Sequence, residues 1–307
     1  MAWSPFTGLP VEIGEDNMRP YAVMINNHNK ALPQSGIAQA DIIEEVLAEG
    51  DITRLLAIFT ITDAKKIGPV RSARHYFVDM ALDYDAAFIH HGGSEKGYDI
   101  LNALRIDRLD GMTYGGVYLW RDPARVNVPG MYEHSSYTDA LNLSKAMDYL
   151  KYRKTLSDTY KLGFGFLENP GRIAQSLAAT KITVPYTQHV SSEFTYDVTT
   201  NKYYKTTGGK SHIDDQTGEQ LAFENVIIQY ATISLIPNDD AGRRDVKLVG
   251  QGSGLLATGG GYVPIKWSKA SHRDPTVWQF ESGADMLVNK GKTFIAILSD
   301  RTSVVIN

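Results

Sequence analysis

Short apolar segments separated by polar turns dominate the second half of this chain. From about Lys181 onwards, runs rich in Thr, Tyr, Val and Ile alternate with polar turns. Such alternation is typical of short antiparallel strands, so we predict a β-rich domain over residues 181–307. The predicted strands are Glu193–Val198, Lys202–Thr206, Asn225–Pro237, Val246–Val249, Gly261–Trp267, Val277–Glu281, Met286–Val288 and Thr293–Ser299.

The first half, residues 1–180, mixes strands with helices. Arg19–Asn26 and Ala86–Ser94 are predicted strands, and the second leads through a glycine turn into a helix over Glu95–Leu104. Strand, glycine loop and helix make an α/β unit, in which polar groups at strand ends often face a ligand crevice. The predicted fold class is therefore α+β, with an N-terminal α/β-type domain that contains a mixed sheet and a C-terminal, mostly antiparallel β domain.

The segment from Asp41 to Thr62 allows two predictions. Residue propensity alone favours a helix over Asp41–Ala48. However, Gly50 and Asp51 separate this run from the apolar run Thr53–Thr62, and two such runs around a short glycine turn indicate a β-hairpin. We favour the hairpin.

The segment Ile67–Leu82 carries a concentration of cationic side chains. Gly68 and Pro69 suit the start of a helix, which we predict to run to about Asp83, because proline lacks the N–H that a first turn leaves unpaired. Arg71 and Arg74 would then share one face of its first turns. Unpaired N–H groups and the positive end of the helix dipole would add to their charge, so this segment predicts an anion site.

The segment 105–137 is predicted to be a long irregular loop, and Thr138 is predicted to cap a helix that ends near Leu150. Loops of this length are usually functional or mobile. The loop combines Arg121 and Arg125 with aromatic residues, a surface that suits sugars or peptides. The alternative is that the aromatic rings hold the loop against the core. These residues are Tyr114, Tyr118, Trp120, Tyr132 and Tyr137.

Five arginines lead the candidate binding residues, because each guanidinium offers a planar fork that matches phosphate or carboxylate. The alternative is that they form structural ion pairs with carboxylates such as those of Asp41, Glu44, Glu45, Asp79 and Asp122. The predicted ligand-binding residues are Arg54, Arg71, Ser72, Arg74, His91, Arg121, Arg125 and Tyr137.

His91 and His134 are the candidate catalytic residues, since histidine transfers protons near neutral pH. The alternative for each is a structural, hydrogen-bonded imidazole. No metal site is predicted, because His90 and His91 are adjacent on a strand and point to opposite faces. No cofactor is predicted either, because Gly250–Gly254 lacks the third glycine of a dinucleotide-binding motif.

The composition excludes several classes of protein. A net charge of -4 and a pI near 6.1 argue against general nucleic-acid binding, which needs a basic face. The absence of cysteine excludes disulfides, thiolate metal sites and cysteine nucleophiles. The chain contains no run of about 18 apolar residues, so no membrane-spanning helix is predicted.

Several of these segments resemble the YerB-like lipoprotein family, a bacterial family of unknown function. The resemblance covers nearly the whole chain as two family domains that divide near residue 180, and its most specific motif is Gly68–Arg74. The segments that carry it are Arg19–Asn27, Pro33–Gly36, Gly50–Arg54, Gly68–Arg74, Arg121–Tyr137, Gly250–Gly254, Ile265–Lys269 and Asn289–Ile295.

The resemblance implies an extracytoplasmic protein that a lipid on an N-terminal cysteine anchors to the membrane, mainly in Gram-positive bacteria. That cysteine and its export signal are not part of this chain. The family pattern His-Asn-x-Tyr has a counterpart at His134–Tyr137, where Ser135 replaces the asparagine. The resemblance implies no activity and no catalytic residues.

The sequence therefore predicts a cell-envelope protein that binds an anionic ligand, a small molecule or envelope polymer that carries phosphate or carboxylate. One alternative is an enzyme acting on such a ligand through Arg71 and Arg74, with His91 or His134 moving protons. Another is a scaffold with structural arginines whose β domain binds a protein partner. A nucleic-acid partner is not predicted, and membrane contact is expected only through the lipid anchor.

Overall fold

Strands form most of the regular structure in the computed structural model, which describes residues 1–307. They are β1 (Ala2–Trp3), β2 (Pro10–Val11), β3 (Tyr21–Asn26), β4 (Ile42–Glu49), β5 (Ile52–Phe59), β6 (Ala87–His90), β7 (Arg108–Asp110), β8 (Trp120–Arg121), β9 (Ser136–Tyr137), β10 (Gly165–Phe166), β11 (Leu177–Ala178), β12 (Lys181–Pro185), β13 (Ser191–Asp197), β14 (Lys202–Thr207), β15 (Lys210–Ser211), β16 (Ala222–Phe223), β17 (Asn225–Leu235), β18 (Arg244–Lys247), β19 (Gly250–Thr258), β20 (Gly261–Lys269), β21 (Val277–Phe280), β22 (Leu287–Val288), β23 (Thr293–Ser299) and β24 (Val305–Ile306).

The helices are fewer and mostly short. The α-helices are α1 (His75–Leu82), α2 (Glu95–Ala103), α3 (Gly111–Tyr114), α4 (Pro123–Val126) and α5 (Ala140–Leu150), and single 3₁₀ turns occupy Glu15–Asn17, Asn29–Ala31, Ile37–Gln39 and Tyr132–His134. None of the helices is both long enough and apolar enough to cross a bilayer.

A mixed sheet of 12 strands runs through both halves of the chain. Its order is β11-β20-β19-β17-β23-β4-β5-β3-β6-β7, with β18 beside β17 and β21 beside β20. The two halves meet where β23 pairs in parallel with β4, so one sheet crosses the predicted domain boundary at residue 180. The fold class is α+β, as the sequence predicts.

Both faces of this sheet are covered, which explains the continuous apolar runs of its central strands. Ala22 and Met24 of β3 pack on one face with α1, whereas Val23 and Ile25 pack on the other face with α5. A second, antiparallel sheet of 6 strands, in the order β15-β14-β13-β12-β24 with β16 beside β14, covers more of the second face. The strand period of two residues assigns alternate side chains to the two cores.

A buried ion pair lies between the two sheets. Glu45 on β4 and Lys205 on β14 are both 0% exposed, and Lys205 Nζ lies 3.6 Å from Glu45 Oε2. Glu45 also accepts hydrogen bonds from Asn27, Thr53 and Ser192, and Lys205 donates to Thr207 Oγ1 and His212 Nδ1. Burial lowers the pKa of Lys205, and the charge of Glu45 opposes that shift.

The β-hairpin prediction for Asp41–Thr62 is confirmed, because β4 and β5 pair antiparallel around Gly50 and Asp51. The predicted strands at Arg19–Asn26 and Ala86–Ser94 correspond to β3 and β6, and the following helix to α2. The predicted cap of the helix that ends near Leu150, α5, is wrong by one residue. Asp139, not Thr138, caps α5 by accepting a hydrogen bond from the N–H of Asn142.

The predicted start of the arginine-rich helix at Gly68 is wrong, because α1 begins at His75. Residues 67–73 are extended instead, and their N–H groups bond to distant segments. Val70 donates to Ser136 O, Arg71 to Met24 O and Ala73 to Gly92 O. Arg71 and Arg74 therefore do not share a helix face, and no free first-turn N–H groups lie beside Arg71.

Strand β19 is not among the predicted strands, because the glycines of Gly250–Gly254 indicate a loop rather than a strand. Gly252 and Gly254 are needed for close packing within the sheet. A Cβ atom on Gly254 would lie 2.4 Å from Ile228 O, and one on Gly252 would lie 2.6 Å from the indole nitrogen of Trp267. Glycine depresses strand propensity, yet here it allows the backbones to approach.

The pair Glu45–Lys205 should contribute strongly to stability. We expect Lys205→Met to lower the free energy of unfolding by about 3–5 kcal/mol, because it leaves a buried carboxylate without its counter-charge. Urea denaturation would measure this loss, and the double variant Glu45→Gln/Lys205→Met should recover part of it. Lys210→Met, which alters an exposed lysine on the neighbouring strand β15, is the control. Equal losses in the two lysine variants would contradict the prediction.

Candidate functional site

The parallel strands β3, β6 and β7 end at the same edge of the large sheet. Their last residues are Asn26, His90 and Asp110, and the extended segment 67–73 passes across these ends. Polar side chains at the carboxyl ends of parallel strands commonly face a ligand crevice. The β8–β9 ribbon and the loop 28–33 lie next to this edge and complete a polar surface.

His91 is held by hydrogen bonds at both ring nitrogens. Nδ1 lies 2.7 Å from Ser136 Oγ, and Nε2 lies 3.2 Å from a terminal nitrogen of Arg121. Since a guanidinium only donates, Nε2 must be the acceptor, and Nδ1 carries the proton and donates to Ser136. Burial, followed by the charge of Arg121, lowers the pKa of His91 to about 4. His91 is therefore a neutral, oriented imidazole at pH 7.

His134 and His28 form a stacked pair beside the end of β3, with ring centres 4.9 Å apart. Asn26 Nδ2 donates to His134 Nδ1 at 2.8 Å, and the N–H of Lys30 donates to His28 Nδ1 at 3.1 Å. Both rings therefore carry their proton on Nε2. Neither Nε2 has a hydrogen-bond partner in the protein, so each is a free donor.

The same environment disfavours a positive charge on these two rings. Burial and the neighbouring His28 and Arg71 lower the pKa of His134 to about 4. Burial, Lys30 and Arg71 lower the pKa of His28. Arg71 and Lys30 contribute to both shifts, and the charge of Glu133 opposes them.

Arg71 and Arg121 supply the permanent charge of this surface. Arg71 pairs with Glu133 at 2.5 Å, and the Glu133 side chain is 65% exposed. Arg121 contacts no carboxylate: it donates to Tyr132 O, Ser135 Oγ and His91, and its guanidinium lies 4.1 Å from the centre of the Tyr132 ring. We call Arg71, Arg121, His28, His91 and His134 the cationic cluster.

Arg125 and Tyr137 make structural contacts with other parts of the protein. Arg125 donates to the backbone carbonyls of Lys30, Ala31, Pro33 and His134, which ties the loop 28–33 to the long loop. Tyr137 is 0% exposed, and its hydroxyl has no partner. Ser72 donates to the carbonyl of His91 at 3.0 Å and so helps to hold the segment 67–73 against β6.

Arg54 and Arg74 belong to a separate buried cluster around Glu49. Arg54 is 1% exposed and Arg74 is 7% exposed, and each donates to one carboxylate oxygen of Glu49. Although burial opposes it, the charges of the two arginines hold the pKa of Glu49 below its ordinary value. The structure thus brings together Arg71, His91, Arg121 and His134 from the predicted set, and it places Arg54 and Arg74 in this internal ion cluster.

Sequence reasoning missed His28, Asn26, Lys30 and Glu133. The segment Asn27–Pro33 has the polar, proline-ended pattern of a connecting loop, which by itself assigns no role to His28. One signal could have found it. Asn26-Asn27-His28 follows a predicted buried strand, as His90-His91 ends another, and polar residues after parallel strands meet at one edge. His90 itself is 0% exposed and donates from Nδ1 to Gly92 O.

No group of three or more His, Asp or Glu side chains has an arrangement that could hold a metal ion. The larger clefts are not lined by residues of the cationic cluster, although one of them begins at Asn29, next to His28. One of about 780 Å³ runs between the segment 157–165 and the strand β21, and one of about 570 Å³ separates the loop at Asn29–Pro33 from the hairpin β14–β15. The cationic cluster is therefore an open surface site rather than a deep pocket.

Comparisons with known proteins match the chain over nearly its full length. Residues 6–153 match the N-terminal domain, and residues 182–295 the C-terminal domain, of a family described as protein of unknown function (DUF3048). The curated "Putative lipoprotein YerB" of Bacillus subtilis is 36% identical over 97% of this chain and 86% of that protein.

The crystal structure of the YerB protein from Bacillus subtilis is similar in fold as well. It superposes with a TM-score of 0.86 at 33% identity and covers 100% of both chains. These matches confirm the resemblance inferred from the sequence motifs. The chain therefore belongs to the DUF3048 family of YerB-like proteins, whose function is unknown.

Proposed function

We propose that the cationic cluster binds the phosphate or carboxylate group of an anionic component of the cell envelope. One observation carries this proposal: the histidine ring nitrogens left without protein partners, Nε2 of His28 and of His134, are N–H donors. The ring acceptors of His28, His91 and His134 are all occupied by protein donors. Because the rings present free N–H donors and no free acceptor, this surface can bind an anion.

The charges support the same conclusion. Arg121 has no carboxylate partner, and the only carboxylate beside Arg71 is the largely exposed Glu133. A ligand anion that reached Arg71 would compete with a largely exposed carboxylate rather than with a buried ion pair. The cost of displacing such an exposed carboxylate is small, since exposed ion pairs contribute about 0–1 kcal/mol.

An extracytoplasmic location fits the relative named a putative lipoprotein, and we extend that location to this chain. A lipid anchor would hold the cationic cluster near envelope polymers and lipid head groups that carry phosphate or carboxylate. The alternative that the protein is an enzyme acting on such a ligand has less support. Both ring nitrogens of His91 are engaged, and its partner Ser136 is 1% exposed, so this pair does not present a nucleophile.

Arg121→Gln should weaken anion binding. We expect pyrophosphate to bind about ten- to a hundredfold more weakly, because a charge-assisted hydrogen bond contributes about 1.5–3 kcal/mol. Isothermal titration calorimetry at low salt would measure the loss. Arg301→Gln, at an exposed arginine without a carboxylate partner, is the matched control. Unchanged thermal midpoints would show that both variants fold, and equal affinities for wild type and Arg121→Gln would refute the proposal.

The pair Arg71–Glu133 separates ligand binding from a structural role. Arg71→Gln should weaken pyrophosphate binding, whereas Glu133→Gln should strengthen it, because it removes the carboxylate that competes with the ligand for Arg71. A purely structural ion pair predicts that both variants lose stability and that neither changes affinity. The ratio of the two dissociation constants, measured under one buffer condition, distinguishes these outcomes.

Anion binding should also depend on pH through the stacked histidines. A bound anion raises the pKa of His134 above its free value of about 4, so the complex binds more protons than the free protein. Affinity for sulfate, whose own charge is constant in this range, should therefore rise as the pH falls from neutral towards 4. His134→Gln should flatten this rise. A wild-type affinity that does not change with pH would place the histidines outside the ligand contact.

A further inference from the structure

Three tyrosines form a second feature on the same side of the molecule. Tyr114 of α3, Tyr118 in the following turn and Tyr149 of α5 have ring centres 6.0–6.5 Å apart. Tyr149 is 67% exposed, and none of the three hydroxyl groups has a hydrogen-bond partner in the protein. We call these residues the tyrosine cluster. Sequence reasoning found two of them in the long loop and missed Tyr149.

Exposed apolar side chains extend this cluster. Met112 is 69% exposed and Val117 is 63% exposed, and both lie within the segment that carries Tyr114 and Tyr118. Exposed apolar residues are common singly on protein surfaces, and here two occur in the segment that carries two rings of the tyrosine cluster. The ring planes of the cluster are inclined to one another by 48–77°, so they present several facets rather than one flat stack.

The tyrosine cluster borders the cationic cluster. Tyr118 precedes Arg121 by three residues, a distance that the backbone spans in about 10 Å at most. The residues before Tyr114 also lie beside His91. A Cβ atom on Gly92, the residue after His91, would lie 3.6 Å from Met112 Cγ, and Gly111 packs against the ring of His91. A ligand only a few units long can therefore contact both clusters.

We propose that the tyrosine cluster binds the sugar rings of an anionic oligosaccharide whose phosphate or carboxylate is held by the cationic cluster. This inference rests on the proposed function and names the ligand class. A sugar ring has an apolar C–H face and polar edges, which match the flat ring and the free hydroxyl of Tyr149, the exposed member of the cluster. Tyr114 and Tyr118 are partly buried and pack against the core beside it. An acyl chain would instead need a deep aliphatic groove, and no residue of either cluster lines one of the larger clefts.

Two matched oligosaccharides test the inference. Chitohexaose is neutral, and a peptide-free peptidoglycan hexasaccharide has the same linked backbone with carboxylates on its lactyl groups. Wild type should bind the charged hexasaccharide more tightly than chitohexaose. Tyr149→Ala should weaken both by about three- to tenfold, the range that aromatic contacts contribute, and should leave pyrophosphate binding unchanged.

Two further variants isolate the role of the ring. Tyr149→Phe keeps the ring and should bind both hexasaccharides nearly as wild type does. Tyr204→Ala, at a partly exposed tyrosine on β14 of the second sheet, should have no effect. Tyr149 is largely exposed on a helix, so its alanine variant should fold normally, and thermal unfolding verifies this.

The outcomes separate this inference from the proposed function. If pyrophosphate binds but Tyr149→Ala leaves hexasaccharide binding unchanged, or if wild type binds neither hexasaccharide, the sugar site is refuted and the anion site survives. If Tyr149→Ala weakens chitohexaose binding but pyrophosphate does not bind, the anion site is refuted, and with it the claim that the oligosaccharide is anionic.

Discussion

The parallel pairing of β23 with β4 is the contact on which the rest of this structure depends. Five residue pairs, from Thr293 opposite Ile42 to Ile297 opposite Val46, join the two halves of the chain into one sheet. Without β23, β4 would be an edge strand with unpaired backbone groups and apolar side chains on both faces. Because β4 pairs with β5 and β5 with β3, this junction also joins β3, β6 and β7 to the C-terminal half of the chain.

The extended segment 67–73 then determines which arginines lie at the edge of the sheet where β3, β6 and β7 end. Its backbone bonds to Met24, Ser136 and Gly92 hold it across the strand ends and delay the start of α1 until His75. Arg71 consequently lies beside Glu133 and the stacked histidines, whereas Arg74, immediately before the helix, lies beside Glu49. One extended segment therefore supplies both a surface cation and a buried structural cation, which a single helix face could not do.

Sequence alone predicted the parts of the fold whose signals are local. The hairpin of β4 and β5 was predictable because Gly50 and Asp51 separate two apolar runs, and β23 was predicted with its observed bounds. The start of α1 was not predictable, because long-range bonds override the local helix signal of Gly68 and Pro69. In the same way, β19 depends on glycines that close packing requires, and His28 joins the site only because β3 and β6 are parallel neighbours.

The protonation states connect the fold to the proposed chemistry. Burial and neighbouring cations keep His28, His91 and His134 neutral at pH 7, so the cationic cluster concentrates donors without adding three more positive charges to repel one another. A fully charged cluster of this kind would need buried carboxylates, as the cluster of Arg54 and Arg74 needs Glu49. Neutral imidazoles avoid that requirement and leave the charge of Arg121 without a protein counter-ion, which is the electrostatic basis of the anion ligand that we propose.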